Sequence, residues 1–178
     1  MDKADGVIDS KDRVVVGGRY PKFYYGGGFN IYWKDFDVSL FLQGVEGTKS
    51  LSRNWGITPY EQGSPPTKDF VKNHWTGEGS TNKYPAMYRA GYNPVTGTVS
   101  TFHLYDSSYL RLKNLRIGYN IPNAYAQRIG LKQAQVYFSG DNLLTFTDYP
   151  GMDPERTSGS FSVYPQLRTY AFGIKVKL

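Results

Sequence analysis

Residues 167–178 read LRTYAFGIKVKL. Tyr170, Phe172, Ile174, Val176 and Leu178 share one face of an extended strand, and Thr169, Ala171, Gly173, Lys175 and Lys177 share the other. Period-two alternation specifies a strand with one apolar and one wet face. The apolar face runs to the last residue, so the terminus is expected to close a sheet. Two sheets have such a strand: an outer-membrane barrel with its apolar side toward lipid and its polar side toward the lumen, or a soluble sandwich of which this is an edge. The strand alone leaves both open.

Composition narrows the classes. The 178 residues suit one domain or two, and no apolar run of eighteen residues exists to form a membrane helix. The negative mean hydropathy does not bear on barrel strands, whose alternation makes them polar on average. Aromatics reach 16 %, with 16 tyrosines and 20 glycines, a β-rich composition. There is no cysteine, hence no disulfide framework and no thiolate metal site. The net charge of +6 comes without a Lys/Arg cluster of the kind that grips nucleic acid, so no nucleic-acid partner is expected. Met1 is followed by Asp2, Lys3 and Asp5 rather than an apolar export segment, so a barrel reading implies a longer gene product.

Working back from the terminus, alternation predicts strands near 23–33, 36–47, 108–121, 133–146 and 167–178. Lys34-Asp35 is the tight turn of a hairpin. The Gly26-Gly27-Gly28 run weakens an ordinary strand but fits a wall where something packs closely inside. Leu110 and Leu112 are out of phase with Leu115, Ile117, Tyr119 and Ile121, which predicts a β-bulge at Lys113-Asn114. The connections 1–22, 48–106 and 147–166 are long, and those at 34–35 and 122–132 short or moderate. A short helix is expected within 69–75. With Leu178 at the periplasm, every long connection falls outside the cell and every short one inside, as a transporter barrel requires. Trp33, Phe36 and Tyr119 then lie near one interface, and Tyr105, Tyr109, Phe146 and Tyr149 near the other. The expected fold is therefore all-β: about five antiparallel strands at the C-terminal end of a large transmembrane β-barrel, with long extracellular loops, the whole of 1–178 forming one segment.

The same residues resemble a known family. Ser107 to Leu115 with Gly118-Tyr119 and Pro122, Gly140-Asp141-Asn142-Leu143 with Thr145, Tyr149, Gly151 and Asp153-Pro154-Glu155, and Tyr164-Pro165 with Arg168-Thr169-Tyr170 and Phe172-Gly173 are similar, in order, to the C-terminal signatures of SusC/RagA-type TonB-linked outer-membrane transporters. Asp5 to Asp9 with Asp12-Arg13, and Trp75-Thr76 with Tyr84-Pro85, match as well. The resemblance implies a plugged barrel of about 22 strands. It implies uptake of oligosaccharides or peptides with a SusD-like surface lipoprotein, energised through TonB by a part that this chain lacks, in the outer membrane of a Gram-negative, Bacteroidetes-like bacterium. Leu178 departs from the aromatic common at that terminus. The reading from another class is a soluble all-β carbohydrate-binding module, which would bury one sheet face under a second sheet.

No catalytic chemistry is expected. His74 and His103 lack partners at triad or zinc spacing, and the triple glycine is followed by no Lys-Ser/Thr as a phosphate loop needs. Asp153-Pro154-Glu155 reads as a turn rather than an acid/base pair. Asp5, Asp9 and Asp12 resemble half of a calcium loop whose first ligand positions hold Met1 and Lys3, so a solvated acidic turn is expected, with bound calcium the lesser alternative and no other cofactor. Trp55, Trp75, Tyr84 and Tyr88, with Tyr60 and Tyr92, are candidate ligand contacts by stacking, or else they pack the long loop onto the rim. Arg111, Lys113, Arg116, Lys175 and Lys177 face the lumen and are expected to pair with wall or plug carboxylates.

Overall fold

The computed structural model describes residues 10–51, 65–81, 83–87, 100–156 and 164–178. Five long strands form one antiparallel sheet: β1 (Phe23–Trp33), β2 (Phe36–Glu46), β5 (Tyr109–Ile121), β6 (Gln133–Phe146) and β7 (Thr169–Lys177), paired in that order. Between β2 and β5 lie β3 (Lys49–Leu51) and β4 (Leu104–Asp106), which pair with each other, and the helix α1 (Lys68–Asn73). A second helical turn, α2 (Asn123–Ala126), follows β5. The long connection between β2 and β5 is thus partly built, and Thr67 rather than Asp69 opens its helix. The Thr67 side chain accepts from the Phe70 amide at 3.2 Å, satisfying a donor that the first turn leaves open.

Strand limits follow from backbone chemistry. Lys34, at φ 52°, turns the chain between β1 and β2. Gly47, at φ 73°, takes it out of β2, so the strand stops at Glu46 rather than at Gly47. At the other end of the sheet, Leu178 lies beyond the last paired residue, Lys177. The expected bulge is present: Phe41 opposes Asn114 and Leu42 opposes Leu112, leaving Lys113 unpaired on β5. A second irregularity faces it. Leu112 opposes Leu144 and Asn114 opposes Asp141, so β6 inserts Asn142 and Leu143 there, with Asn142 at φ 53°. The two irregularities sit side by side and restore a common phase across the sheet.

Register then sorts the side chains into two faces. One cross-strand row is Trp33, Phe36, Tyr119, Val136 and Ile174; the next is Ile31, Val38, Ile117, Phe138 and Phe172. Beyond these come Phe29, Leu40, Leu115, Gly140 and Tyr170, and, past the bulges, Leu42, Leu112 and Leu144. The opposite face carries Asn30, Ser39, Arg116 and Ser139 in one row and Gln43, Arg111 and Thr145 in another. Rings lie beside one another along the apolar rows, with centroids 4.8 Å apart for Phe36–Tyr119 and 5.1 Å for Phe138–Phe172.

The apolar face is uncovered. Phe172 is 82 % exposed and Ile174 72 %, and the buried apolar residues among those described are only Val45, Phe70, Tyr109, Ala126 and Ala134. A soluble sandwich would hide such rows under a second layer, and no second layer covers them among the described residues. No described helix is long and apolar enough to cross a membrane, which says nothing of strands. The dimensions fit a strand crossing. Eleven residues in β1 reach about 34 Å, and a tilt of about 40° reduces that to roughly the 25 Å height of a barrel's apolar band.

The expected aromatic belts are present only in part. Trp33, Phe36 and Tyr119 cluster at one edge of the apolar face, and Phe146 is exposed on that face near the other edge. Tyr109 does not join them. It pairs with Val45 on the polar side, is 5 % exposed, and lies beneath the Arg111 guanidinium. The bulge at Lys113 sets this phase, because residues before it alternate oppositely to those after it.

Candidate functional site

The polar face holds two side-chain networks built from the sheet register. Near the β1–β2 turn, Arg116 on β5 reaches across to Asp37 on β2 and donates from Nη2 to Gln135 Oε1 on β6 at 2.8 Å. Gln135 donates in turn to Asp37 Oδ2 at 2.6 Å and Asn120 Oδ1 at 3.0 Å. Arg116 also lies over the Tyr137 ring at 5.0 Å. Glycines open the space for this packing: Asp37 lies on Gly118 and Tyr137 on Gly173, where any side chain would collide. Arg116 is thus committed to the Asp37 carboxylate, and the network ties β2, β5 and β6 together.

The second network lies past the bulges and brings a loop onto the sheet. Arg111, with a side chain 4 % exposed, donates Nε to Thr145 Oγ1 at 2.9 Å, Nη1 to Glu155 Oε2 at 2.8 Å and Nη2 to Asp153 Oδ1 at 2.7 Å. Asp153 also accepts from the Glu155 amide and the Gln166 amide, each at 2.9 Å. Lys113, free of ladder pairing at the bulge, reaches Glu155 Oε2 at 3.2 Å and Gln166 Oε1 at 3.1 Å. Asn142, turned at the facing irregularity, donates Nδ2 to Leu167 O at 3.1 Å. Both ends of the β6–β7 connection are therefore strapped across the polar face. The Asp153-Pro154-Glu155 turn is a clamp on Arg111, an arrangement in which neither carboxylate is placed as an acid or base.

Electrostatics of this strap give it a definite acid limit. Burial pushes the Asp153 pKa up. The hydrogen bonds from the Gln166 amide, the Arg111 guanidinium and the Glu155 amide outweigh that, and the net direction is below the ordinary carboxylate value. A group whose folded pKa is depressed stabilises fully above its unfolded pKa and loses that contribution as pH falls through the folded value. Protection of the Gln166 amide from hydrogen exchange is therefore expected to be unaffected between about pH 7 and pH 5 and to fail only below about pH 4. Loss of protection already at about pH 5 would contradict the assignment.

The long connection builds a small cluster of its own. Phe70 of α1 is fully buried between His74 and Tyr84, at ring separations of 5.6 and 5.5 Å. Asp69 holds Lys83 Nζ at 2.9 Å and the Tyr84 hydroxyl. The Tyr84 hydrogen bond, then that of Lys83, keep the Asp69 carboxyl below its usual range, and burial followed by Asp69 raises the Tyr84 phenol. Tyr84 is thus occupied in holding the cluster. Trp75, whose amide donates to Tyr84 O at 3.1 Å, leaves its ring 45 % exposed. His74 sets Nδ1 against the Val71 and Phe70 carbonyls at the helix end, and His103 is fully buried. Trp55, Tyr60, Tyr88 and Tyr92 lie outside the described residues, as do Asp5 and Asp9. Asp12, in the one-turn segment Ser10–Asp12, is the described member of that acidic set. No group of three or more metal-ligating side chains occurs among the described residues.

Known proteins place this architecture. No family model matches the chain. It is similar to TonB-dependent receptor P3 of Formosa agariphila, 31 % identical over 188 residues, which takes in 97 % of this chain and 18 % of that receptor. TonB-dependent receptor P26 of the same organism is also 31 % identical, over 98 % of this chain and 19 % of the receptor. TonB-dependent receptor SusC of Bacteroides thetaiotaomicron is 23 % identical over 97 % of this chain and 17 % of its own length. The chain thus spans less than a fifth of each of these relatives. Among solved structures, the RagAB peptide transporter superposes with a TM-score of 0.71 at 26 % identity, over 91 % of this chain and 18 % of that one. The RagAB peptide importer in its closed-closed state gives 0.70 over the same shares.

Proposed function

The chain belongs to the TonB-dependent receptors of the SusC/RagA type, as a stretch of their β-barrel wall, and from that premise we propose that it serves outer-membrane nutrient import. The intact receptor would take up oligosaccharides or peptides, with a SusD-like lipoprotein over its outer mouth and TonB acting through a part beyond this chain. The cell would be a Gram-negative, Bacteroidetes-like bacterium. The substrate crosses unchanged, and the wall contributes shape and charge rather than chemistry. This segment is the C-terminal end of the barrel, with the loops 1–22, 48–106 and 147–166 outside and the turns 34–35 and 122–132 at the periplasm. Of the candidate aromatics Trp55, Trp75, Tyr84 and Tyr88, Trp75 is the described one that stays exposed, beside a cluster that occupies Tyr84, and it is left for a ligand or for the lid.

One observation carries the reading. Five paired strands present unbroken apolar rows on one face and hydrogen-bonded charged networks on the other. Water disfavours the first face and lipid the second, so only a wall between lipid and an aqueous lumen suits both. The RagAB peptide importer, similar in fold, favours peptide cargo, while the resemblance carried by the sequence motifs keeps oligosaccharides open. The test is outer-membrane uptake of labelled oligosaccharide and oligopeptide mixtures by cells with and without the parent receptor gene. Loss of one class on deletion is the expected result. Unchanged uptake of both overturns the reading.

A further inference from the structure

Residues 122–132, between β5 and β6, read PNAYAQRIGLK. They build a closed turn rather than a loose connection. The chain runs through α2 and a further helical turn to Ile129, and Gly130, at φ 79°, ends it. The Gly130 amide donates to Gln127 O and the Leu131 amide to Ala126 O, each at 3.1 Å, the pairing that seals a helix end on a left-handed residue. That closure sorts the side chains. Ala126 is fully buried, whereas Tyr125, Arg128 and Ile129 share the other side of the turn and are exposed, Tyr125 by 61 % and Ile129 by 71 %. Ala134, where the turn meets β6, shares the apolar face of the sheet with Ile121 and Val176 and is buried as well. The turn therefore sits at the edge of the apolar face and presents an aromatic, an aliphatic and a basic side chain there.

Lys34 and Lys132 stand with Arg128 on this edge, and all three are exposed. Lys34, in the β1–β2 turn, sets Nζ 5.0 Å from the Trp33 ring centroid, and the Arg128 guanidinium lies 5.7 Å from that of Tyr125. Lys132, one residue before β6, falls in phase with Ala134 and Val136 on the apolar side, and its amide continues the ladder to Lys177 O at 2.9 Å. The two turns are held at one level, since Asp35 O accepts from the Asn120 amide at the end of β5, at 2.7 Å. Elsewhere on the wall Arg111, Lys113 and Arg116 engage carboxylates. Among the described residues Lys34, Arg128 and Lys132 form no ion pair, and the sole carboxylate side chain at this edge outside the Arg116 network is Asp35.

We propose that Lys34, Arg128 and Lys132, beside Trp33, Tyr125 and Ile129, form a seat for the phosphates of anionic phospholipids in the periplasmic leaflet. The rings and Ile129 sit at the boundary between acyl chain and headgroup, as interfacial aromatics do. The long basic side chains lay their stems along apolar surface and lift their charge to the phosphates, and an anionic surface attracts each such group by charge alone. Continuity favours lipid as the occupant, because these cations border the rows that meet hydrocarbon. Lys175 and Lys177 take no part, since they pair across from Gln135 and Gln133 on the polar face. The proposal rests on the wall reading and its orientation, and adds to them a choice of lipid.

The experiment reconstitutes the full-length receptor into nanodiscs of phosphatidylethanolamine and phosphatidylglycerol with matched acyl chains. Native mass spectrometry then reads which lipids stay bound as the disc is stripped. The parent receptor is expected to retain phosphatidylglycerol above its share of the mixture. Lys34→Gln, Arg128→Gln and Lys132→Gln together should lower that preference by about fivefold or more, the effect of one cation at an anionic surface. Lys34→Arg, Arg128→Lys and Lys132→Arg together should hold it within about twofold, since charge rather than fork geometry acts here. Lys175→Gln with Lys177→Gln, on the lumen side, should leave it as it is. Lys34→Gln alone, in an exposed turn, should shift it in the same direction and serves where the triple variant does not fold. A preference unchanged in the Gln variants, or lowered equally by the lumen pair, overturns the seat. Lipopolysaccharide added to the disc and held selectively through the same three residues would put this rim in the outer leaflet and overturns it too. Retention of both phospholipids without preference removes the seat alone, whereas a receptor that retains no lipid of either kind removes the wall reading.

Discussion

Arg111→Met is expected to destabilise the strapped state of the β6–β7 connection by about 3–5 kcal/mol, the scale of a buried ion pair that loses one partner. The reason is what remains. Asp153, 5 % exposed, would keep its two backbone donors but lose the guanidinium, and a carboxylate in that position has no route to water without moving the loop. Glu155 is less confined and retains Lys113 and Gln166. The loss should therefore fall on the segment around Asp153 and the Gln166 amide. Hydrogen exchange of the full receptor in detergent reads it directly, as faster exchange at Glu155 and Gln166 with the β2–β5 ladder unchanged. Arg111→Lys should recover only part of the protection, since an ammonium cannot span Thr145, Asp153 and Glu155 as the planar fork does. Unaltered exchange at Gln166 in Arg111→Met would refute the strap.

This clamp shows where the sequence stops being legible. The motif around Arg111 and the Asp153-Pro154-Glu155 turn are both visible in the chain, and each carries part of the family resemblance. Nothing in their spacing says that they touch, because the contact is made by a loop returning across the sheet. Local alternation was the readable part. It marks the strands because every side chain of a strand alternates between faces that differ in polarity. It also marks Lys113, because one unpaired residue inverts the phase of all that follow. The facing irregularity at Asn142 leaves no such trace. Gly140 and Leu144 stay in phase on either side of it, so an alternation count passes straight over it. Only the identity of Asn142, a residue tolerant of positive φ, hints at the turn. Tyr109 was misplaced in the outer belt because its height was readable while its side was fixed by the bulge four residues on.

Phe172→Arg and Ala171→Arg, adjacent substitutions on β7, are expected to differ sharply. Phe172 belongs to the apolar row with Ile31, Val38, Ile117 and Phe138, whereas Ala171 shares the polar row with Asn30, Ser39, Arg116 and Ser139. Both positions are exposed in the described chain, so exposure alone would make either arginine harmless or even favourable in water. In a bilayer the two solvents differ. An arginine on the lipid side costs about 2–4 kcal/mol at mid-height and less toward the interfaces, whereas a position facing the lumen meets no hydrocarbon. With the full receptor refolded into lipid vesicles, Phe172→Arg should lower the denaturant midpoint and the amount recovered in the outer membrane. Ala171→Arg should stay close to the parent protein in both. The contrast does not depend on what the receptor carries, because it tests only which face meets hydrocarbon. Equal behaviour of the two variants, or a gain from Phe172→Arg, would mean that the apolar rows face something other than lipid, and the wall assignment would fall with them.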